Sequence, residues 1–271
     1  MTNSPSTPTG KPLALVTGAS SGIGYELAAL FAADGYDLIV ASDSEKIDTA
    51  AERLGETGAH VRSVTADLRT EDGVAQVYAA VAADERPLAA EALNAGVGRG
   101  GAFLDTPLPD SMSVIDLNVT STVHLTKLVL EDMVRRNEGK LLVTSSIAST
   151  MPGPYQAVYN ASKSFVQSFV EALQGELSDS AVTVTSLMPG PTGTNFFHRA
   201  QMDDTKMGQA KKDDAGEVAR QGYEAMMSGK RKVVASSIMS KAKATAAVDA
   251  VTPDVAKAAA HKFLARPGSG R

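Results

Sequence analysis

"LALVTGASSGIG", Leu13 to Gly24, decides how this chain folds. Its first five residues are apolar or β-branched, the composition of a buried strand. Glycines follow at 18, 22 and 24, and residues 22–34 then read as a helix. A strand, a glycine-rich turn and a helix in that order open a βαβ unit of the kind that holds a dinucleotide. Glycine allows the sharp turn and lets a phosphate approach main-chain N–H groups. The helix N-terminus adds partial positive charge for a pyrophosphate. The spacing here is G-x-x-x-G-x-G, a wider turn than G-x-G-x-x-G.

The same alternation runs outward along the chain. Residues 37–41, 60–65, 140–145, 181–188 and 232–236 read as strands; 89–93 is weaker, because Glu91 interrupts it. Residues 45–54, 71–84, 110–136, 155–178 and 214–228 read as helices. Repeated strand and helix imply βαβ crossovers and a mainly parallel sheet covered on both faces. The expected fold class is α/β: a single doubly wound domain over 12–265, with no linker dividing it. Residues 1–11 read as a disordered leader and 266–271 as a frayed tail. Segment 190–213 lacks periodicity and reads as a substrate loop. The alanine-rich stretch from 237 is expected to be helical to about Ala265.

Composition removes several function classes. The chain has no cysteine, which excludes disulfides, thiolate chemistry and cysteine-bound zinc. His60, His124, His198 and His261 are scattered, so no metal site is expected. The net charge is -5 and no basic stripe is visible, which argues against a nucleic-acid partner. The opening residues lack the apolar core of a signal peptide, and no apolar run is long enough for a membrane span. The expectation is a soluble cytoplasmic protein with no membrane partner.

An acidic residue near the end of the second strand would bind the adenosine ribose hydroxyls. Asp43 lies 19 residues after Gly24 and fits that place. It could instead begin the next helix, with Ser44 as the cap. A 2′-phosphate would call for Arg or Lys, and none occurs between Asp37 and Glu45; Ser20 and Ser21 are uncharged too. This favours NAD, with NADP as the alternative. Asp67, in "TADL" with Leu68, is placed either to bond the adenine amino group or to serve as a helix-start carboxylate.

Tyr159 and Lys163 sit one helical turn apart on one face. A free phenol, with a pKa of about 10, is too weak an acid to act as a base near neutrality. An ammonium nearby lowers that value and brings the phenol toward the working pH of general acid–base catalysis. Ser146 follows a strand, at the sheet end where ligands bind, and its hydroxyl can donate to a carbonyl oxygen. Ser145 competes for that role. Asn118 falls inside the expected helix 110–136, where asparagine is unfavourable unless it holds a water or is merely exposed.

These residues together resemble the short-chain dehydrogenase/reductase family. The matching elements are "TGASSGIG", "NAG" at 94–96, Asn118, Ser146, "YNASK" at 159–163 and "PGPTGT" at 189–194, in register over about residues 12–195. The resemblance implies a Rossmann-type fold and a tetrad of Asn118, Ser146, Tyr159 and Lys163. Tyr159 would be the acid/base, Ser146 the carbonyl stabiliser, Lys163 the ribose ligand and pKa modifier, and Asn118 the holder of a relay water. The cofactor set it implies is Gly18, Ser20, Ser21, Gly22, Ile23, Gly24, Asp43, Asp67, Leu68, Asn94, Ala95, Gly96, Tyr159, Lys163, Pro189, Gly190, Thr192 and Thr194. Two positions depart from the pattern. Leu93 replaces the first of two asparagines, and Ser42 and Asp43 stand where NADP-type members usually carry a basic residue.

The implied activity is hydride transfer between nicotinamide and an alcohol or ketone, with a non-catalytic dinucleotide-binding sensor or scaffold as the alternative. An epimerase or dehydratase of the longer related type fits less well, with only about 80 residues after Gly190. Phe103, Met151, Phe196 and Phe197 suggest an apolar substrate portion, walled by 97–106, 147–155 and 190–213. Arg99 is either an anion contact or simply exposed. Two apolar stripes on helix 155–178, Val158-Ala161-Phe165-Phe169-Ala172 and Val166-Val170-Leu173-Leu177, need two covers. One is the sheet; the other is a neighbouring helix or a partner subunit, and the resemblance implies a homodimer or homotetramer.

Overall fold

The strands are β1 (Leu13–Thr17), β2 (Asp37–Ser42), β3 (Val61–Thr65), β4 (Leu88–Leu93), β5 (Lys140–Thr144), β6 (Thr183–Pro189) and β7 (Lys232–Ala235). In the computed structural model, which describes residues 10–236 and 254–270, they form one sheet in the order β3-β2-β1-β4-β5-β6-β7. Every neighbouring pair is parallel, where a mainly parallel sheet was expected. The order reverses between β1 and β4. A crevice opens at such a point beyond the carboxyl ends of the strands, and it is where α/β sheets bind ligands.

The main helices are α1 (Gly22–Ala33), α2 (Lys46–Gly55), α3 (Glu71–Ala82), α4 (Leu108–Ile115), α5 (Ser121–Arg136), α6 (Ala157–Glu176), α7 (Phe196–Arg199), α8 (Lys206–Gln209) and α9 (Ala215–Met227). Successive strand residues point to opposite faces, so each strand feeds two cores. Leu15 and Leu141 pack with Leu125 and Met133 of α5 and Val166 and Val170 of α6. Val16 and Leu142 pack on the other face with Leu27 and Phe31 of α1 and Val218 of α9. Burying each such side chain stabilises the fold by about 1.5–3 kcal/mol.

Glu91, which weakened the β4 pattern, lies between Leu15 of β1 and Leu141 of β5 and is 0% exposed. Neither carboxyl oxygen has a hydrogen-bond partner. Burial pushes this carboxyl well above its ordinary range, so the side chain is carried as the neutral acid.

Three segments differ from expectation. The single helix 110–136 is two helices, α4 and α5, joined through a π-helical turn at Asp116–Thr120. Segment 190–213 holds the one-turn helices α7 and α8, too short to leave a periodic signal. The Lys212 ammonium ties that loop together, donating to the carbonyls of Met207 (3.1 Å), Gly208 (2.6 Å) and Ala210 (2.9 Å). The expected frayed tail is instead anchored at 268–270. Gly268 N–H donates to Asp204 Oδ2 at 2.7 Å, Ser269 Oγ accepts from Lys206 N at 3.1 Å, and Gly270 N–H donates to the Asp204 carbonyl at 2.9 Å.

A helix at Asp254–Ala265 bears out part of the alanine-rich expectation. The rest of that stretch, 237–253, and residues 1–9 of the leader lie outside the described residues. Among the described residues no helix is long and apolar enough to cross a membrane.

On α6, Val166 and Val170 face the sheet, with Leu173 and Leu177 packed beside them. On the other stripe Ala161, Phe165 and Ala172 are exposed. Phe165 stacks on Phe169 with ring centroids 6.1 Å apart.

Candidate active site

The glycine turn leaves β1 with Gly18 at φ +66° and Gly22 at φ +59°, the left-handed region in which side chains are strained. Gly24, in the first turn of α1, is required for a different reason. A Cβ there would lie 2.2 Å from the Gly18 carbonyl oxygen. The Ser21 side chain makes no capping bond to α1, so the first-turn N–H groups are left to a ligand. All of the expected cofactor residues except Gly24 line one cleft beyond the carboxyl ends of the strands. Gly24 shapes the turn from behind.

At one end of the cleft Asp43 stands outside α2, which begins at Lys46, although Ser44 Oγ does accept from Lys46 N at 3.3 Å. Asp67 also stands outside the following helix. Thr70 caps α3 instead, its hydroxyl accepting from Gly73 N at 3.0 Å. Both aspartates meet a residue that the sequence reading missed. Arg69 Nε donates to Asp67 Oδ1 at 2.7 Å, and its Nη2 lies 3.2 Å from Asp43 Oδ2. The Arg69 bond holds the Asp67 carboxyl below the usual carboxylate range. Arg69 lies two residues past Asp67 but 26 residues from Asp43, so no local pattern links it to that acid.

The centre of the cleft is built where β5 ends. Ser145 is 2% exposed and its hydroxyl donates to the Lys163 carbonyl at 3.3 Å. Ser146 Oγ accepts from Ala148 N at 3.1 Å and lines the cleft together with Tyr159. The surroundings separate the two serines: Ser146 stands near enough to the phenol to favour its ionised form, while Ser145 is engaged with the backbone of α6. The Tyr159 ring packs 5.2 Å from that of Phe196.

Electrostatics differ from the sequence expectation. Burial pushes the Tyr159 phenol up to about 12, and the nearby Ser146 hydroxyl offsets only part of that rise. Lys163 does not lower it here. Its ammonium donates to the Thr144 carbonyl at 2.8 Å, and burial brings the amine down to about 8. Spacing put the two side chains on one face, but the nearest acceptor for the amine is the end of β5.

Asn118 sits in the π-helical turn and is 1% exposed, which removes the reading of a merely exposed asparagine. It lies behind the cleft wall, with Val97 N–H donating to its Oδ1 and its Nδ2 donating to the Val97 carbonyl, both at 2.9 Å. A further bond runs from Nδ2 to Ser162 Oγ at 3.0 Å. These bonds fix the strand exit Asn94-Ala95-Gly96.

The other end of the cleft is lined by Met151, Phe196 and Phe197, as expected, joined by Gln156, Met207 and His261. Phe103 is not there: it is 58% exposed, and of loop 97–106 only Val97 reaches the cleft. Glycines 98 and 100 instead let that loop pack against Phe196 and Met202. Arg99 is neither free nor mostly exposed, because it pairs with Asp110 at 3.1 Å. Among the described residues no cluster of His, Asp or Glu has the arrangement of a metal site.

Comparison with known proteins accords with this architecture. The family model described as short chain dehydrogenase matches residues 12–205. Oxidoreductase UcpA of Salmonella typhimurium is 33% identical over 201 residues, covering 72% of this chain and 76% of that protein. Among solved structures, a short-chain dehydrogenase from Sphingobium yanoikuyae in complex with NADPH superposes with a TM-score of 0.77 at 28% identity, covering 82% and 87% of the two chains. A bulky-bulky ketone specific alcohol dehydrogenase from Comamonas testosteroni superposes with a TM-score of 0.74 at 25% identity, covering 83% and 86%. A family match across most of the length, a relative at one-third identity and this sheet order together establish that the chain belongs to the short-chain dehydrogenases and is an oxidoreductase of that family.

Proposed function

We propose that the protein transfers a hydride between a nicotinamide dinucleotide and a ketone or alcohol, with Tyr159 as the general acid/base. The observation that carries this reading is that Ser146, Tyr159 and Lys163 line the same cleft as the open glycine turn. The residues present fit a dinucleotide: Gly18 and Gly22 line the cleft, and the tight turn they make admits no side chain, a Cβ on Gly18 meeting Ala95 Cα at 2.9 Å and one on Gly24 meeting the Gly18 oxygen at 2.2 Å. A bound nicotinamide supplies the hydride acceptor or donor.

This chain's residues supply the rest. Gly18 to Ile23 hold the pyrophosphate. Asp43, Asp67 and Leu68 receive the adenosine, and Asn94, Ala95, Gly96, Pro189, Gly190, Thr192 and Thr194 line the nicotinamide half. Ser146 donates to the carbonyl oxygen and stabilises the charge that develops there. With its value near 12, Tyr159 is fully protonated at neutral pH, which suits proton donation during ketone reduction. Lys163 keeps most of its positive charge at pH 7 beside Gly96 and Thr144. Met151, Phe196, Phe197 and Met207 favour an apolar substrate body, and the resemblance to a ketone-specific enzyme supports that class.

The exposed Phe165, stacked on the half-buried Phe169 of α6, supports a homodimer or homotetramer; a monomer by light scattering would reject it. A cysteine-free chain fits a reducing cytoplasm, and recovery from the cell envelope would reject that.

The decisive experiment is Tyr159→Phe assayed on a panel of apolar ketones, with dinucleotide binding followed in parallel. The variant is expected to keep binding and to lose turnover by roughly 10²-fold or more. Turnover equal to wild type on any accepted ketone overturns the assignment.

A further inference from the structure

The adenosine end of the cleft holds a cation beside the acid expected to select the cofactor. Arg69 follows β3, and Asp43 follows β2. Asp67 Oδ1 accepts both the Arg69 backbone N–H at 3.0 Å and the Arg69 Nε at 2.7 Å, which orients the side chain toward β2. Nη2 lies 3.2 Å from Asp43 Oδ2, and Nη1 reaches Ser113 Oγ at 3.5 Å. All three charged residues line the cleft. Ser42 Oγ donates to Ser20 Oγ at 3.0 Å in the same corner and adds no charge.

Asp43 alone would bind a ribose 2′-hydroxyl and repel a 2′-phosphate. The guanidinium changes that balance, offsetting one of the two carboxylate charges. The Arg69–Asp43 pair is weakly held, with the two side chains 37% and 50% exposed. Exposed pairs of that kind contribute little to stability. A phosphate offers the guanidinium fork a bidentate, doubly charged partner instead. The anchor on Asp67 would survive the exchange, because it uses Nε and leaves the Nη1 and Nη2 end of the guanidinium to the phosphate.

We propose that Arg69 opposes Asp43 in setting the choice between a 2′-hydroxyl and a 2′-phosphate on the adenosine ribose, and so admits NADP(H) to a cleft that Asp43 alone would reserve for NAD(H). This rests on the dinucleotide reading given above.

The test is equilibrium binding, independent of turnover. NADH and NADPH are titrated by fluorescence, and 5′-AMP and 2′,5′-ADP by calorimetry, on wild type, Arg69→Ala, Arg69→Lys and Asp43→Asn. Wild type is expected to bind NADH and NADPH within about tenfold of each other. Arg69→Ala should weaken NADPH and 2′,5′-ADP at least tenfold relative to NADH and 5′-AMP. Arg69→Lys should recover part of that loss, since a lysine keeps the charge without the fork. Asp43→Asn should shift the ratio the other way. An Arg69→Ala variant that weakens all four ligands equally, or none, overturns the proposal and leaves the dinucleotide reading standing. A wild type that binds neither dinucleotide overturns both.

Discussion

Asn118 and Val97 are bonded to each other twice, once in each direction, at 2.9 Å. One side chain thereby satisfies both main-chain groups of the residue that follows the Asn94-Ala95-Gly96 exit from β4. A π-helical turn brings it there, since the extra residue between α4 and α5 swings the amide toward the sheet.

Asn118→Ala should leave the Val97 N–H and carbonyl without partners, at about 1–3 kcal/mol for each group. The expected outcome is a melting temperature lower by several degrees and weaker dinucleotide binding, read by thermal unfolding and fluorescence titration. An unchanged melting temperature would contradict this account of the turn.

Lys163 costs stability at neutral pH. Its amine stands at about 8 in the fold against 10.5 for an exposed lysine, so the unfolded chain holds more protons between those values. The penalty is present in full below about pH 8 and fades as the pH rises toward 10.5. Its size is on the order of 3 kcal/mol, less about 1 kcal/mol for the lost bond to Thr144 in a variant. Lys163→Met should therefore melt higher than wild type at pH 7, in the absence of dinucleotide, with the gap closing above pH 8. Melting curves from pH 7 to 10 test it, and a variant that melts lower at pH 7 sinks it.

Glu91 should act with the opposite pH sign. Its folded carboxyl is raised by burial, so above about pH 4.5 the unfolded chain releases a proton that the fold retains. Stability then falls as pH rises, by about 1.4 kcal/mol per unit, until the folded carboxyl itself ionises. Glu91→Leu removes the effect and keeps the position apolar. The variant should melt higher than wild type at pH 7, with the difference shrinking toward pH 4.5. A difference that stays constant across that range would show that the buried acid is not the cause.

Much of this molecule was legible in one dimension, because the signals are local. The glycines at 18, 22 and 24 announce a turn that only small residues can make, and the seven strand segments, even the one broken by Glu91, lie within a residue or two of where composition put them. The expected single helix 110–136 hides its π-turn because such a turn keeps the apolar period nearly intact on both sides. The anchored residues 268–270 were misread because their partners, Asp204 and Lys206, lie some sixty residues away.

By itself the sequence determined the doubly wound sheet, the phosphate-ready turn and the presence of Tyr159 and Lys163 one turn apart on a single helix, since each follows from neighbours along the chain. Only the tertiary structure decided which partners those groups take. The Lys163 amine binds the Thr144 carbonyl because α6 crosses the end of β5. Arg69 meets Asp43 because β2 and β3 run parallel in register, Ser42 beside Thr65, so the loops that leave them emerge together. Parallel pairing brings distant segments to one edge of the sheet, and that is where charges meet that no local pattern records.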